Sequence, residues 1–115
     1  MNLLNYLKLK DYKGTKDALA EAYKLIEKCK LEEEYFPIKR CLWLLCCYNI
    51  EMFVAQKMPQ KAEAYIIDAE KYNDVDDFYV YCYYNLVSAS YYQLLGQYEK
   101  ALDNVNLVLA QTGDD

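Results

Sequence analysis

The chain contains no histidine at all, only three glycines and two prolines, and no surplus of positive charge. Each shortage excludes something. Without histidine, a general base poised near neutrality is missing, and a zinc site would have to be built from thiolates alone. So few glycines and prolines cannot supply the many tight turns of a sandwich or barrel, and no glycine-rich phosphate loop is present. With 13 Lys and Arg against 18 Asp and Glu, the formal charge is -5. Its lysines are scattered, from Lys8, Lys10, Lys13 and Lys16 to Lys57, Lys61, Lys71 and Lys100. Neutralising phosphates needs a concentrated basic surface, so neither nucleic acid nor an anionic membrane is an expected partner.

Long apolar runs are missing as well. The greasiest stretch, "CLWLLCCYNI", is about half of the roughly 20 residues a membrane span requires. The opening "MNLLNYLKLK" has no charged lead before its apolar residues, and lysines interrupt it, so it does not read as a secretory signal. Cysteines stand at Cys29, Cys41, Cys46, Cys47 and Cys82, an odd number with no CxxC spacing. Adjacent Cys46 and Cys47 cannot form an unstrained bridge. The set reads as small buried side chains in a reducing compartment, and the expected location is cytoplasmic. No metal or cofactor is implied.

What is present is helix-forming. Apolar residues make up 55% of the 115, enough for one domain with one core spanning residues 1–115. A period of 3.6 and the breakers predict about six helices. The first covers Asn2 to Lys10, with Gly14 as a stop, and the second runs from Thr15 to Lys30 with Ala18, Ala22, Leu25, Ile26 and Cys29 on one stripe. The link "LEEEYFP" leads into a third helix, Pro37 to Gln56, apolar almost all round and so either central to the core or partly exposed to a partner. Pro59 opens a fourth helix that reaches Tyr72, "NDVDD" separates it from a fifth, Phe78 to Leu95, and a sixth runs from Tyr98 to Gln111. "FYVYCYYNLV" in the fifth is rich in strand-favouring aromatics, but a strand continuing through "SASYYQLLG" would be unusually long, so helix is the reading.

A repeat organises these pieces. From Ala89 the spacing is A-x-x-Y-x-x-L-G-x-Y-x-x-A, carried by Ala89, Tyr92, Leu95, Gly96, Tyr98 and Ala101. This resembles the tetratricopeptide repeat, in which small residues let two helices cross closely, aromatics fill the wedge beside them and glycine makes the turn. A weaker copy aligns Ala62 with Ala101, Phe53 with Tyr92 and Ile50 with Ala89, with Lys57 and Pro59 replacing Gly96 and Tyr98. A third aligns Ala18 with Ala101, in either of two registers: Leu9 opposite Tyr92, or Leu9 and Tyr12 opposite Leu95 and Tyr98 with an insertion at "KGT". Anchor alanines lie roughly 44 and 39 residues apart, against the usual 34 or so of the family.

The resemblance implies an all-α fold of three stacked antiparallel helical hairpins, a solenoid with hairpins near residues 1–30, 37–73 and 77–112. It further implies a concave groove that holds another polypeptide. By register the lining would be Leu44, Cys47, Tyr48, Glu51, Val54 and Ala55, with Tyr83, Leu86, Val87, Ser90, Gln93 and Leu94 opposite. Relatives that grip a terminal carboxylate in this groove use cations, whereas the equivalent positions here are Leu3, Leu7, Tyr48, Tyr83 and Val87. An amphipathic partner helix suits such a lining better. The function expected is therefore a non-enzymatic protein–protein interaction module, a small adaptor or a secretion-type chaperone. The alternative is a sensory or regulatory segment of a larger signalling or transcription-regulating protein. An apolar edge without a polar capping helix also makes a homo-oligomer an expectation.

Overall fold

The computed structural model describes residues 12–32 and 38–112, and all its regular structure is helical. The helices are α1 (Tyr12–Glu32), α2 (Ile38–Ala55), α3 (Pro59–Ala69), α4 (Phe78–Leu94) and α5 (Tyr98–Thr112), with one 3-10 turn at Glu70–Tyr72. The helix expected at Asn2 to Lys10, Pro37 and most of the "LEEEYFP" link lie outside the described residues. Gly14 does not stop a helix: it lies within α1.

α2 is the hub, in contact with α1, α3 and α4, which explains why its sequence is apolar on every side. One flank places Trp43, Cys46, Cys47 and Ile50 against Ala69, Val80, Tyr81, Tyr84 and Val87. The other places Leu45 and Met52 against Leu19 and Ile26 of α1. Within this apolar helix Asn49 is buried, and its Nδ2 donates to the Leu45 carbonyl at 2.9 Å and to the Tyr23 hydroxyl at 3.4 Å. A buried amide so satisfied adds no desolvation debt.

α4 is helical despite its aromatics because it too is covered twice, by α2 on one side and α5 on the other. Its buried residues, Val80, Tyr81, Tyr84, Asn85, Val87, Ser88, Ala89 and Tyr91, spread round more than one face, and tertiary packing overrides the local strand preference. Asn104 of α5 donates its Nδ2 to Asn85 Oδ1 at 2.9 Å, fixing the last helix against α4.

The corners joining α2 to α3 and α4 to α5 are built alike. In the first, the Lys57 N–H donates to the Val54 carbonyl at 3.0 Å and Met58 N–H to Phe53 at 2.8 Å. In the second, Gly96 N–H donates to Gln93 at 3.0 Å and Gln97 N–H to Tyr92 at 2.8 Å. Both are the paired 5→2 and 6→1 bonds of a Schellman helix end, which needs a left-handed residue at the turn. Gly96 (φ 77°) and Lys57 (φ 58°) are those residues. The register is the one that aligns Ala62 with Ala101. An added Cβ at Gly96 would meet nothing within 4 Å, so glycine is needed there for its backbone angle and not for room.

Candidate functional site

α2 and α4 lie against each other, and their shared face carries several of the residues assigned to a groove. Tyr48 and Tyr83 meet with ring centroids 5.6 Å apart, inclined at 60°. The Tyr83 hydroxyl donates to Glu51 Oε1, so the carboxylate is held by the neighbouring helix. Burial, and then the bond to Glu51, push the Tyr83 phenol well above its ordinary range, and burial raises Tyr48 too. The face therefore presents neutral phenols, and its one carboxylate is already engaged.

Cys47 and Val87 lie beneath this face, not on it. Cys47 is 0% and Val87 6% exposed, and both belong to the core around Ile50 and Val80. They form the floor that holds Tyr48 and Tyr83 in place. Leu44 is half-buried, while Leu86 and Ser90 are exposed along the outer edge of α4. Ser90 returns its hydroxyl to the Leu86 carbonyl at 3.3 Å. Among the remaining lining positions, Val54 and Leu94 are half-buried, and Ala55 and Gln93 are exposed.

The repeat positions divide in the same way. Ala89 is buried, as a close crossing requires, and Ala101 and Tyr92 are half-buried. Tyr92 packs edge-on against Tyr91 at 5.1 Å, with Lys100 Nζ 5.5 Å above its ring. Tyr98 was expected to fill the wedge, but it is 68% exposed. It stands at the first position of α5, where the chain has just left the corner, and its ring turns to solvent beside Gly96 and Gln97. Leu95 is likewise exposed.

The sequence did not reveal the hollow between α1 and α2. Ala22, Leu25 and Ile26 of α1 face Cys41, Leu44, Leu45 and Tyr48 of α2 around an open apolar space of about 240 Å³. Leu25, read from periodicity as core, is 57% exposed and stands on the rim. Tyr48 lines this hollow and also contacts Tyr83, so the hollow and the α2–α4 face share a wall. The only available signal was that the α1 stripe is wider than one neighbouring helix can cover.

Elsewhere the polar groups serve the fold. The Tyr84 hydroxyl donates to Glu70 Oε2 on the 3-10 turn, and Lys71 pairs with Asp68 at 2.8 Å. The Cys46 thiol lies 3.7 Å from Asp68 Oδ2, and burial together with that carboxylate pushes it up to about 12. Burial raises Cys47 further still. Such thiols are poor nucleophiles. Among the described residues no three His, Cys, Asp or Glu side chains converge to hold a metal, and no helix is long and apolar enough to cross a membrane. No family model matches this chain, and no curated protein or solved structure matches it either.

Proposed function

We propose that the chain is a non-enzymatic protein-interaction module, a tetratricopeptide-like array of stacked hairpins that holds an amphipathic partner helix. The observation that carries this reading is the apolar hollow lined by Leu25, Leu44 and Tyr48, which meets Tyr83 of α4 through the Tyr48 ring and beside which the Glu51 carboxylate is occupied by Tyr83; Leu86 is exposed one turn further along α4. A surface without a free charge favours an apolar stripe over a charged peptide, and tyrosines with apolar bodies and polar tips are common anchors at such contacts. The identical corners at Lys57 and Gly96 support the repeat reading, since one hairpin plan is used twice. A small adaptor or chaperone that shields the apolar face of its client fits these features, and the free thiols suit a reducing cytoplasm.

The test is capture from the native cytosol by the wild-type chain and by Leu44→Glu and Leu86→Asp variants, with mass spectrometry of what is retained. A partner enriched by the wild type and lost with both variants is the expected result. A partner retained equally by all three would place the contact elsewhere, and no enriched polypeptide would count against the interaction reading itself.

A further inference from the structure

The last helix carries two apolar rows, and α4 takes up one of them. α5 packs on α4, and its half-buried Ala101, Asn104, Val105 and Val108 mark that contact. The second row runs along the flank of α5. Tyr98 is 68% exposed, Leu102 and Leu109 are 58% exposed each, and Val105 stands half-buried between them. Glu99, Asp103 and Asn106, which also face water, are polar as expected. One exposed leucine is ordinary on a protein surface, whereas an aligned row of them marks a contact.

The spacing of the row says what covers it. Tyr98, Leu102, Val105 and Leu109 follow one another at the alternating four- and three-residue steps of a helix-pairing seam. The steps read the same from either end. Two copies of α5 laid antiparallel about a two-fold axis therefore set Tyr98 against the partner's Leu109 and Leu102 against the partner's Val105, and the axis repeats both contacts. Charge favours the same arrangement. Glu99, Lys100 and Asp103 lie in the first half of α5, and Asn104 to Thr112 carry no charge. Antiparallel pairing lays the charged half of each helix along the uncharged half of the other. Parallel pairing would bring like carboxylates together and align the two helix dipoles.

We propose that the chain forms a two-fold dimer in which α5 pairs antiparallel with α5 of a second copy through Tyr98, Leu102, Val105 and Leu109. One aromatic and three aliphatic side chains, with the stems beside them, remove about 400–500 Å² per copy from water, or on the order of 800–1,000 Å² for the pair. That is the small end of specific interfaces, so the dimer is weak and exchanges with monomer. No residue of α5 lines the hollow between α1 and α2, and the inference does not depend on the partner-binding reading.

Sedimentation velocity of the full chain from about 1 to 500 μM tests this, with an expected dissociation constant of about 10–100 μM. Leu102→Glu and Leu109→Glu each place a carboxylate in the apolar seam twice per dimer and should raise that constant by about tenfold or more. Both leucines are exposed in the single chain, so melting at about 1 μM should not change. The alignment is read with a short thiol crosslinker and peptide mass spectrometry. Tyr98→Cys mixed with Leu109→Cys should link, while Tyr98→Cys alone should not, because antiparallel pairing holds its two copies roughly 16 Å apart along the axis. A monomer over the whole range would overturn the proposal, whatever else covers the row. So would a dimer of undiminished strength in both glutamate variants, or Tyr98→Cys linking to itself.

Discussion

Lys57 and Gly96 hold the same left-handed backbone at equivalent corners, and only one of them is a glycine. A side chain in that region crowds its own carbonyl and costs roughly 1 kcal/mol. Lys57→Gly should therefore stabilise the fold by about 0.5–1 kcal/mol, read as a raised urea midpoint. Gly96→Val, which puts a β-branched residue at φ 77° where space is open, should cost about 1–2 kcal/mol through the backbone alone. Equal midpoints for Lys57→Gly and wild type would contradict the strain assigned to that corner.

The corners also mark how much of the fold could be read in advance. Gly96 flags its turn openly, while Lys57 hides an identical one behind a residue that rarely adopts positive φ. The fifth predicted helix was legible from length, whereas the all-round apolarity of α2 fitted either a central helix or one partly exposed to a partner, and only its three packed neighbours decide for the centre. Leu25, Tyr98, Cys47 and Val87 were placed wrongly by depth because periodicity gives the face of a helix and not what covers it. That depends on which helix packs alongside and at what rotation. The ion pair between Arg40 and Asp77 was invisible for a related reason: the two meet only when α2 and α4 start at the same end.

The buried phenols predict a one-sided response to alkali. Burial is the first cause that raises Tyr23, Tyr83 and Tyr84, followed for the last two by hydrogen bonds to Glu51 and Glu70. In the unfolded chain these groups ionise near pH 10 or so. Above that pH the folded state keeps protons that the unfolded state releases, so stability falls as pH rises past about 10 and is indifferent to these groups below it. Tyrosinate absorbance should show them lagging behind the exposed tyrosines until the fold melts. Tyr83→Phe, which removes the bond to Glu51, should cost about 1 kcal/mol and shrink the lagging fraction. A single titration step shared by all 14 tyrosines in the native protein would count against this packing.

The thiols of α2 should be chemically silent. Cys46 and Cys47 are 2% and 0% exposed, and burial holds both in the protonated form at neutral pH. Alkylation of the native protein at pH 8 or so, followed by peptide mass spectrometry, should leave both unmodified, with full modification in denaturant. Rapid native labelling of either would show that the core between α2 and α4 opens readily.

Two equivalent alanines give the sharpest test of how the helices are layered. Ala62 on α3 is fully enclosed, because α3 sits against both α2 and α4. Ala101, its counterpart on α5, is only half-buried, because α5 packs on α4 and its other side carries exposed Tyr98 and Leu102. Adding the same bulk should therefore have unequal effects. Ala62→Leu has no room to expand into and should destabilise by about 1–3 kcal/mol, as overpacking of a close helix contact does. Ala101→Leu can lean toward solvent and should cost less than about 1 kcal/mol. Urea denaturation of the two variants measures the difference directly. Equal losses would mean that the outer side of α5 is covered as fully as α3, against the layering described above.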